Sequence, residues 1–241
     1  MRIADYGPSR RADVADLMAL VWGARPDEAE LEWFYERNPV RPASVLLGEE
    51  DGQVVATVAM SFHRRSIGGR ELEVGMPLRV ATDPVYRGRG IFAELEHANE
   101  ERARERGVAL LLTVPNAASA PVFLEKLGWK ALPLLRVWAR LRPPARRGAR
   151  LERFDDPYLD WRFVDAPRDY ALYADGTVVG RRGHVSYVAR GRPSAAMLTL
   201  RGSLQAGFIP TPKTFTLLGK SLDGSLLPDQ VDFEFGDLDF M

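Results

Sequence analysis

The residues best suited to chemistry lie in the segment Val85–Phe92, which contains the sequence Arg87-Gly88-Arg89-Gly90. The segment follows an apolar stretch at 76–81 and leads directly into a helix-forming run that begins at residue 93. Closely spaced glycines let a backbone turn tightly without side chains in a ligand's way. The first N–H groups of a helix have no intrahelical acceptor, and together with the helix dipole they favour an anion. The segment therefore predicts a phosphate or pyrophosphate site, with an ordinary glycine-rich turn before a core helix as the alternative.

A second block of residues lies about one helix and one strand further along. It consists of Asn116 and of the segment Phe123-Leu124-Glu125-Lys126-Leu127-Gly128-Trp129. Together the two blocks resemble the GNAT acyltransferases. In that family an Arg/Gln-x-x-Gly-x-Gly/Ala loop holds the pyrophosphate of acyl-CoA, and a later segment reads Asn … Tyr-Glu-Lys-Leu-Gly-Phe. Arg87 and Gly90 match the first two fixed loop positions, whereas Phe92 stands where the family usually has glycine or alanine. Packing at the start of the helix must therefore differ.

The resemblance implies acetyl-CoA or CoA as the acyl-donor cosubstrate. It also implies that the backbone of Val80 and Thr82 holds the pantetheine arm and polarises the thioester carbonyl. Asn116 stands at a position that often contacts the pantetheine or orients the substrate. The pyrophosphate would be held at the loop and the helix start, by the matched Arg87 and by the amides of Gly88, Arg89, Gly90, Ile91 and Phe92.

The residues that would move protons are harder to assign. Acylation of an amine requires loss of a proton from the amine, donors for the developing oxyanion, and a proton for the leaving thiolate. The family's usual tyrosine aligns with Leu124 and its strand glutamate with Met76, and neither of these side chains exchanges protons. The predicted catalytic candidates are Glu73, acting through water, and His63, since histidine titrates near neutral pH. Each is also understandable as a structural or surface residue.

The elements that must position these residues follow from apolar periodicity and turn signals. Val14, Leu17, Met18 and Val21 form one stripe, which predicts a helix from about residue 9 to residue 22. A second helix is predicted at 28–37, where Trp33 and Tyr35 would line an acceptor pocket or belong to the core. The further predicted elements are strands at 44–49, 53–65 and 70–81, a helix ending at 107, a strand at 108–114, a helix at 119–127 and strands to 141.

This order of elements fits the GNAT architecture over residues 1–141. The predicted fold class is α/β (α+β), with a mixed, mostly antiparallel sheet flanked by helices. Residues 142–153, which include three arginines and two prolines before residue 149, predict a solvated linker. Residues 154–241 are predicted to form a smaller, β-rich half-domain.

A weak internal repeat is the reason for predicting a half-domain. Leu31-Glu32-Trp33-Phe34 has a counterpart in Leu159-Asp160-Trp161-Arg162, and each is followed by an Asp-Gly turn and a Val-Val pair. The second copy has no counterpart of the glycine loop, so the pattern resembles tandem GNAT proteins with one degenerate copy. Chance similarity between β-hairpin proteins is the alternative. At the C-terminus, strict alternation over residues 231–240 predicts a half-buried strand.

Composition limits the function further. The 241 residues carry 33 Lys+Arg against 33 Asp+Glu, which gives no reason to expect binding to nucleic acid or to an anionic membrane. The absence of cysteine excludes disulfides and a thiolate nucleophile, and three separated histidines predict no metal site. No apolar run is long enough to span a bilayer and the N-terminus is not a signal peptide, so we expect a cytoplasmic protein.

Two functions remain open from the sequence. The first is an acyl-CoA-dependent N-acyltransferase, with acetyl transfer to a primary amine as the expected reaction and proximity as its main source of rate. The alternative is a non-catalytic acyl-CoA-binding or interaction protein, which the missing acid and base favour. The acceptor, a small molecule or a peptide amine, is not specified by the sequence. The resemblance leaves a homodimer open, because the exposed edge strands of split GNAT sheets often pair in dimers.

Overall fold

A computed structural model of the chain describes residues 1–67, 70–139, 150–173, 176–182, 185–190, 209–225, 227, 228 and 231. The chain divides into two units. The first is made of residues 1–131 and 218–228, and the second of residues 132–217 and 229–241. All of the candidate site residues named above belong to the first unit.

The helices and strands are numbered in chain order. The helices are α1 (Arg11–Trp22), α2 (Glu28–Glu36), α3 (Ile91–Glu105) and the short α4 (Pro157–Leu159). Shorter helical turns lie at Pro8–Arg10, Pro84–Tyr86, Val122–Lys126 and Asp160–Val164. The strands are β1 (Arg2–Asp5), β2 (Ser44–Glu50), β3 (Gln53–Ile67), β4 (Arg70–Thr82), β5 (Leu110–Thr113), β6 (Lys130–Ala131), β7 (Leu135–Ala139), β8 (Arg150–Leu151), β9 (Tyr170–Tyr173), β10 (Val178–Arg182), β11 (Val185–Arg190), β12 (Ile209–Phe215) and β13 (Leu218–Ser221).

The sequence signals for the first helices are confirmed. Val14, Leu17 and Met18 are buried on α1, which begins at Arg11 after a short helical turn rather than at residue 9. The helix ends at a glycine in the left-handed region, as helices commonly do. Asp27 caps α2 because its carboxylate accepts a hydrogen bond from the Ala29 N–H at 2.9 Å.

The first unit is built on a mixed sheet in the order β1-β2-β3-β4-β5-β13-β6. Every neighbouring pair is antiparallel except β4 and β5, which run parallel. The α3 helix packs on one face, where Ile91 and Leu95 contact Ala56 and Val58 of β3. The α1 and α2 helices also contact β3. Because side chains alternate along a strand, α3 covers one face of β3, and α1 and α2 pack on the other. The predicted fold class, a mixed and mostly antiparallel sheet flanked by helices, is confirmed.

The last strand described in the chain lies in this first sheet. The sequence assigned residues 218–221 to the C-terminal half-domain, whereas β13 pairs with β5 on one side and with β6 on the other. Leu218 is fully buried there and joins the core cluster that includes Leu111 and Trp129. Apolar alternation identifies a strand but not its partner, so the pairing with residues far upstream was not visible in the sequence.

The second unit contains a four-stranded antiparallel sheet in the order β11-β10-β9-β8 and a two-stranded pair formed by β12 and β7. A small cluster of Phe163, Val178 and Ala189 lies within it. Two sequence assignments differ from this arrangement. Residues 135–139, assigned to the first domain, pair with β12, and residues 150–151, assigned to the linker, form β8. The rest of the predicted linker before residue 150 and the predicted strand after residue 231 lie outside the described residues.

None of the described helices combines the length and the apolar character needed to cross a bilayer.

Candidate active site

The neighbouring strands β4 and β5 pair only at their beginning. Val74 pairs with Leu110 and Gly75 with Leu111, and no further backbone pair joins these two described strands. Beyond this point β4 continues to Thr82, while β5 ends at Thr113. Past the paired residues, the Thr113 hydroxyl donates a hydrogen bond to the Pro77 carbonyl at 3.3 Å. In the second half of β4, the backbone N–H and C=O groups on the side of β5 are therefore not paired with the backbone of β5.

A β-bulge interrupts β4 at Arg79. The register against β3 shifts between the pairs Ala59–Leu78 and Thr57–Ala81, so Arg79 and Val80 together face a single residue of β3. Arg79 has a φ of 51°, in the left-handed region that residues other than glycine rarely occupy. A bulge bends its strand and redirects the backbone groups that follow, here those of Val80.

The loop after β4 is held by local hydrogen bonds. Asp83 accepts a bond from the Val85 N–H at 2.9 Å and begins the short helical turn at 84–86. The Arg87 Nε donates to the Thr82 carbonyl at 3.1 Å, which ties the loop back to the strand. The Arg89 guanidinium lies 4.8 Å from the centre of the Tyr86 ring, in cation–π range. Both arginines thus support the shape of the loop and remain exposed at its surface.

Two glycines give the loop its open side. Gly88 has a φ of 76° and Gly90 a φ of 81°, both left-handed, and no atom lies within 4 Å of where a Cβ would stand on either residue. Gly90 is the N-cap of α3, so the N–H groups of Ile91 and Phe92 begin the helix without intrahelical acceptors. The predicted residues from Arg87 to Phe92 follow one another through this loop into α3, in a geometry that suits a phosphate group.

Phe92 explains how the chain departs from the usual loop pattern. Its ring lies 5.3 Å from the ring of Phe123 in an edge-to-face arrangement, and Phe123 in turn contacts Trp129 at 4.9 Å. The Phe92 side chain therefore packs towards the core cluster, where it is partly buried. The aromatic ring fills space between α3 and the turn at 122–126 rather than the loop.

The side chain of Asn116 forms hydrogen bonds with the backbone of the turn that follows it. Its side-chain oxygen accepts hydrogen bonds from the N–H groups of Ala118 at 3.0 Å and of Ser119 at 2.9 Å. The residue is exposed and begins the turn that leads to Val122–Lys126, a π-helical segment where the sequence predicts a longer α-helix. The carbonyl side of the Asn116 amide is therefore engaged in capping.

The two predicted catalytic residues lie on opposite faces of the sheet. His63 pairs with Val74 and Arg64 with Glu73, and consecutive residues of a strand point to opposite faces. Glu73 forms an ion pair with Arg41, whose Nε lies 3.2 Å from its Oε1. His63 is only 2% exposed, on the face that also carries Met76. The structure does not bring the two candidates together, so they cannot act as a pair.

The two positions where the family carries catalytic side chains have contrasting environments. Met76 is fully buried, while Leu124 is 41% exposed. Trp33 and Tyr35 are both buried on α2, in agreement with their interpretation as core aromatics. Within the described residues, no group of three or more histidine, aspartate or glutamate side chains could hold a metal ion.

Sequence reasoning missed a buried polar group on α3. Glu96 and Glu100 have no exposed surface; Glu100 accepts a hydrogen bond from Trp129 Nε1 at 2.5 Å and pairs with Lys220 Nζ at 2.5 Å. Burial raises the pKa of Glu96 well above its usual range, and the neighbouring Glu100 carboxylate adds to that rise. Their spacing in the sequence could have indicated this burial. The two glutamates share one face of the helix with the apolar residues Phe92 and Ala103.

The profile of the family described as "Acetyltransferase (GNAT) domain" matches residues 2–132. No curated protein has a similar sequence.

The fold is similar to that of a GCN5-related N-acetyltransferase from Kribbella flavida, with 18% identity and a TM-score of 0.64 over 92% of this chain and 71% of that chain. A Pyrococcus horikoshii protein reaches a TM-score of 0.64 with 12% identity over 98% of this chain and 93% of that chain. The Salmonella typhimurium protein yncA, solved with its cofactor acetyl-CoA, has a TM-score of 0.52 and 15% identity, over 95% of this chain and 98% of that chain.

Proposed function

The chain belongs to the GNAT acetyltransferase family, and from that premise we propose that it transfers an acetyl group from acetyl-CoA to a primary amine. One observation supports the proposal: the left-handed glycines at the start of α3 leave an open loop, suited to a phosphate group, directly after the bulged strand. The acetyl-CoA in the Salmonella typhimurium structure supports the choice of donor. The Arg87-to-Phe92 segment would take the pyrophosphate, and the backbone of Val80 and Thr82 the pantetheine.

The reaction forms one bond and breaks one. The amine nitrogen bonds to the thioester carbonyl carbon, the carbon–sulfur bond breaks, the nitrogen loses a proton and the thiolate gains one. Backbone N–H groups after the bulge are suited to stabilise the charge that develops on the carbonyl oxygen, because fixed donors need no reorganisation. Holding amine and thioester in contact contributes the remaining acceleration that this site offers.

Proton transfer is assigned to His63, to Glu73 or to water. His63 is the better candidate of the two, because it lies on the same face of the sheet as Met76. Met76 stands at the position where the family carries its glutamate. Glu73 lies on the α3 side and is paired with Arg41. Both assignments stay predictions, as does Asn116 as a contact of the pantetheine through its amide nitrogen.

A second candidate function is an acyl-CoA-binding protein without catalysis. The observation that favours it is the pair of apolar residues, Met76 and Leu124, at positions where the family carries proton-transferring side chains. The acceptor amine of a small molecule or peptide, a homodimer and a cytoplasmic location are parts of the proposal that rest on the sequence alone.

The second unit is proposed to be a degenerate copy of the first. Its helical segment begins at Asp156, whose carboxylate accepts from the Tyr158 N–H at 2.9 Å as Asp27 does on α2. Trp161 is buried in that segment, as Trp33 is in α2. In both units antiparallel strands follow, and both have a left-handed glycine in the predicted hairpin turn, Gly52 and Gly176.

The test of the donor site is the substitution Gly90→Glu. It should weaken acetyl-CoA binding on the order of a hundredfold or more, because a carboxylate would face the pyrophosphate. The matched control is Gly52→Glu, which places the same side chain at the same φ of 81° in equally open space, away from the loop. Calorimetric titration should give one site per chain for the wild type and for the control.

Three results would contradict parts of the proposal. Unchanged binding by Gly90→Glu would show that the donor site lies elsewhere. Two sites per chain would contradict a degenerate second unit. If acetyl-CoA binds tightly but no primary amine in a panel causes release of free thiol, the second candidate function, acyl-CoA binding without catalysis, would be favoured over acetyl transfer.

A further inference from the structure

The bulge in β4 lies in the interior of a strand, at a residue whose backbone is poorly suited to it. Arg79 has a φ of 51°, and the left-handed conformation is unfavourable for a side chain that has a Cβ. Such a conformation persists only when the surrounding structure holds it. Glycine, which would adopt it freely, is not the residue used here. The contacts of the Arg79 side chain should therefore explain why the bulge is kept.

Two of those contacts come from α2. The Arg79 side chain is 4% exposed, and its Nη2 lies 2.5 Å from the Oε1 of Glu30. Its Cζ lies 4.7 Å from the centre of the Phe34 ring, in cation–π range. Glu30 and Phe34 are one helical turn apart, so a single face of α2 supplies both contacts. We call Arg79, Glu30 and Phe34 the clamp.

The clamp selects the bulged register. In a regular strand, Arg79 would point to the face opposite to its neighbour Leu78, which is the face covered by α3. The bulge lets Arg79 reach α2 instead, and Val80 then packs with the α3 cluster of Ile91 and Leu95. Without the clamp, these contacts would no longer favour the extra residue in β4. If the bulge were lost, the register of β4 would shift by one residue, and the side chains after Arg79 would turn to the other face of the sheet.

We propose that Arg79 is a positioning residue for the acyl donor, and that the clamp on α2 fixes the direction in which the backbone groups of Val80 and Thr82 meet the pantetheine arm. This inference rests on the proposed function, because it presumes that acetyl-CoA binds along β4. It predicts that the two ends of the donor depend on different residues. The nucleotide end depends on the glycine loop, and the pantetheine end on the clamp.

The experiment compares two ligands in calorimetry: acetyl-CoA, and its phospho-adenosine diphosphate portion, which ends at the pyrophosphate. The variants Arg79→Met and Glu30→Met should weaken acetyl-CoA binding roughly tenfold, which corresponds to one or two misplaced hydrogen bonds. Their affinity for the nucleotide portion should stay within about twofold of wild type. Arg79→Lys should lie between, since lysine keeps the charge but not the planar, stacked guanidinium.

Two controls separate positioning from general damage. Glu32→Met removes another arginine-paired carboxylate from the same helix, bonded to Arg11 and Arg37, and should leave both affinities unchanged. Gly90→Glu should lose both ligands together. Should Arg79→Met fail to fold, Glu30→Met tests the same clamp from a partly exposed position, at 22% exposure of its side chain.

The outcomes distinguish the two proposals. Unchanged acetyl-CoA affinity in the clamp variants, or an equal loss of both ligands, would overturn the clamp while leaving acetyl-CoA as the donor. A wild-type protein that binds neither ligand would overturn the proposed function, and the role of Arg79 with it.

Discussion

At the scale of single residues, Glu96 has the environment with the clearest energetic consequence. It is fully buried on α3, and neither carboxylate oxygen has a hydrogen-bond partner in the described part of the chain. Burial and the nearby Glu100 raise the pKa of Glu96 in the folded protein above its value in the unfolded chain. The folded state therefore binds the proton more tightly, and this contribution to stability is present at low pH and lost as pH rises towards the folded pKa.

The substitution Glu96→Gln should remove the loss of stability that Glu96 causes as the pH rises. The amide keeps the shape of the side chain but has no charge to bury, so the variant should be more stable than wild type at neutral pH by about 1–3 kcal/mol. The difference should shrink as the pH falls through the raised folded pKa of Glu96, because the carboxyl group is then protonated in the folded protein. Urea unfolding at several pH values measures this.

The control for Glu96→Gln is Glu105→Gln, at an exposed position on the same helix. We expect it to change the unfolding free energy by no more than about 0.5 kcal/mol at any pH. A Glu96→Gln variant less stable than wild type at neutral pH would show that the carboxylate has a stabilising partner.

At the scale of secondary-structure elements, β13 is attached to the first sheet by a polar contact as well as by its pairing. Lys220 bridges Glu100 of α3, at 2.5 Å from Oε2, and the Leu127 carbonyl at 2.7 Å. Glu100 also accepts from Trp129, which packs on Phe123. One buried carboxylate thus connects α3 with β13 and with the segment just before β6.

Lys220→Met should destabilise the protein by roughly 2–3 kcal/mol, because it leaves the buried Glu100 without its cation while Lys220 itself is partly exposed. The double variant with Glu100→Gln should recover part of the loss, since the amide still accepts from Trp129 and no charge is left unpaired. Additive effects of the two substitutions in chemical unfolding would mean that the ion pair contributes no coupling.

At the scale of the whole molecule, the first unit is discontinuous in sequence. The chain leaves it after residue 131 and returns at residues 218–228. Without the returning segment, β5 would have an unpaired edge, and the core cluster would lack Leu218 and Leu222. Exposed strand edges favour aggregation, so a fragment ending near residue 131 is not expected to behave as an independent domain.

A fragment of residues 1–131 should therefore aggregate or unfold at a lower temperature than the full chain. Joining residues 216–228 to this fragment through a flexible glycine–serine linker should restore cooperative unfolding and acetyl-CoA binding. Thermal unfolding followed by circular dichroism compares the two. A short fragment as stable as the linked one would show that β13 is dispensable for the first unit.

The first helices and the glycine loop were predictable because their signals are local. The stripe on α1 and the glycines at 88 and 90 each act within a few residues of chain. Glu73 and His63 were harder to judge, because the face of each side chain depends on register and on the bulge in β4. The burial of Glu96 and Glu100 was not predicted, since nothing near them in sequence shows that Lys220 and Trp129 contact Glu100.

The sequence by itself determined the loop between β4 and α3 and the likeness to the GNAT acyltransferases, which the family profile matches over residues 2–132. Both rest on short spacings that backbone geometry translates directly into structure. The tertiary structure alone decided that Arg79 lies in a bulge and contacts α2, that Glu73 and His63 face apart, and that β13 completes the first sheet. The physical reason is that register, face and strand partner depend on contacts between residues far apart in the chain, which local propensity does not specify.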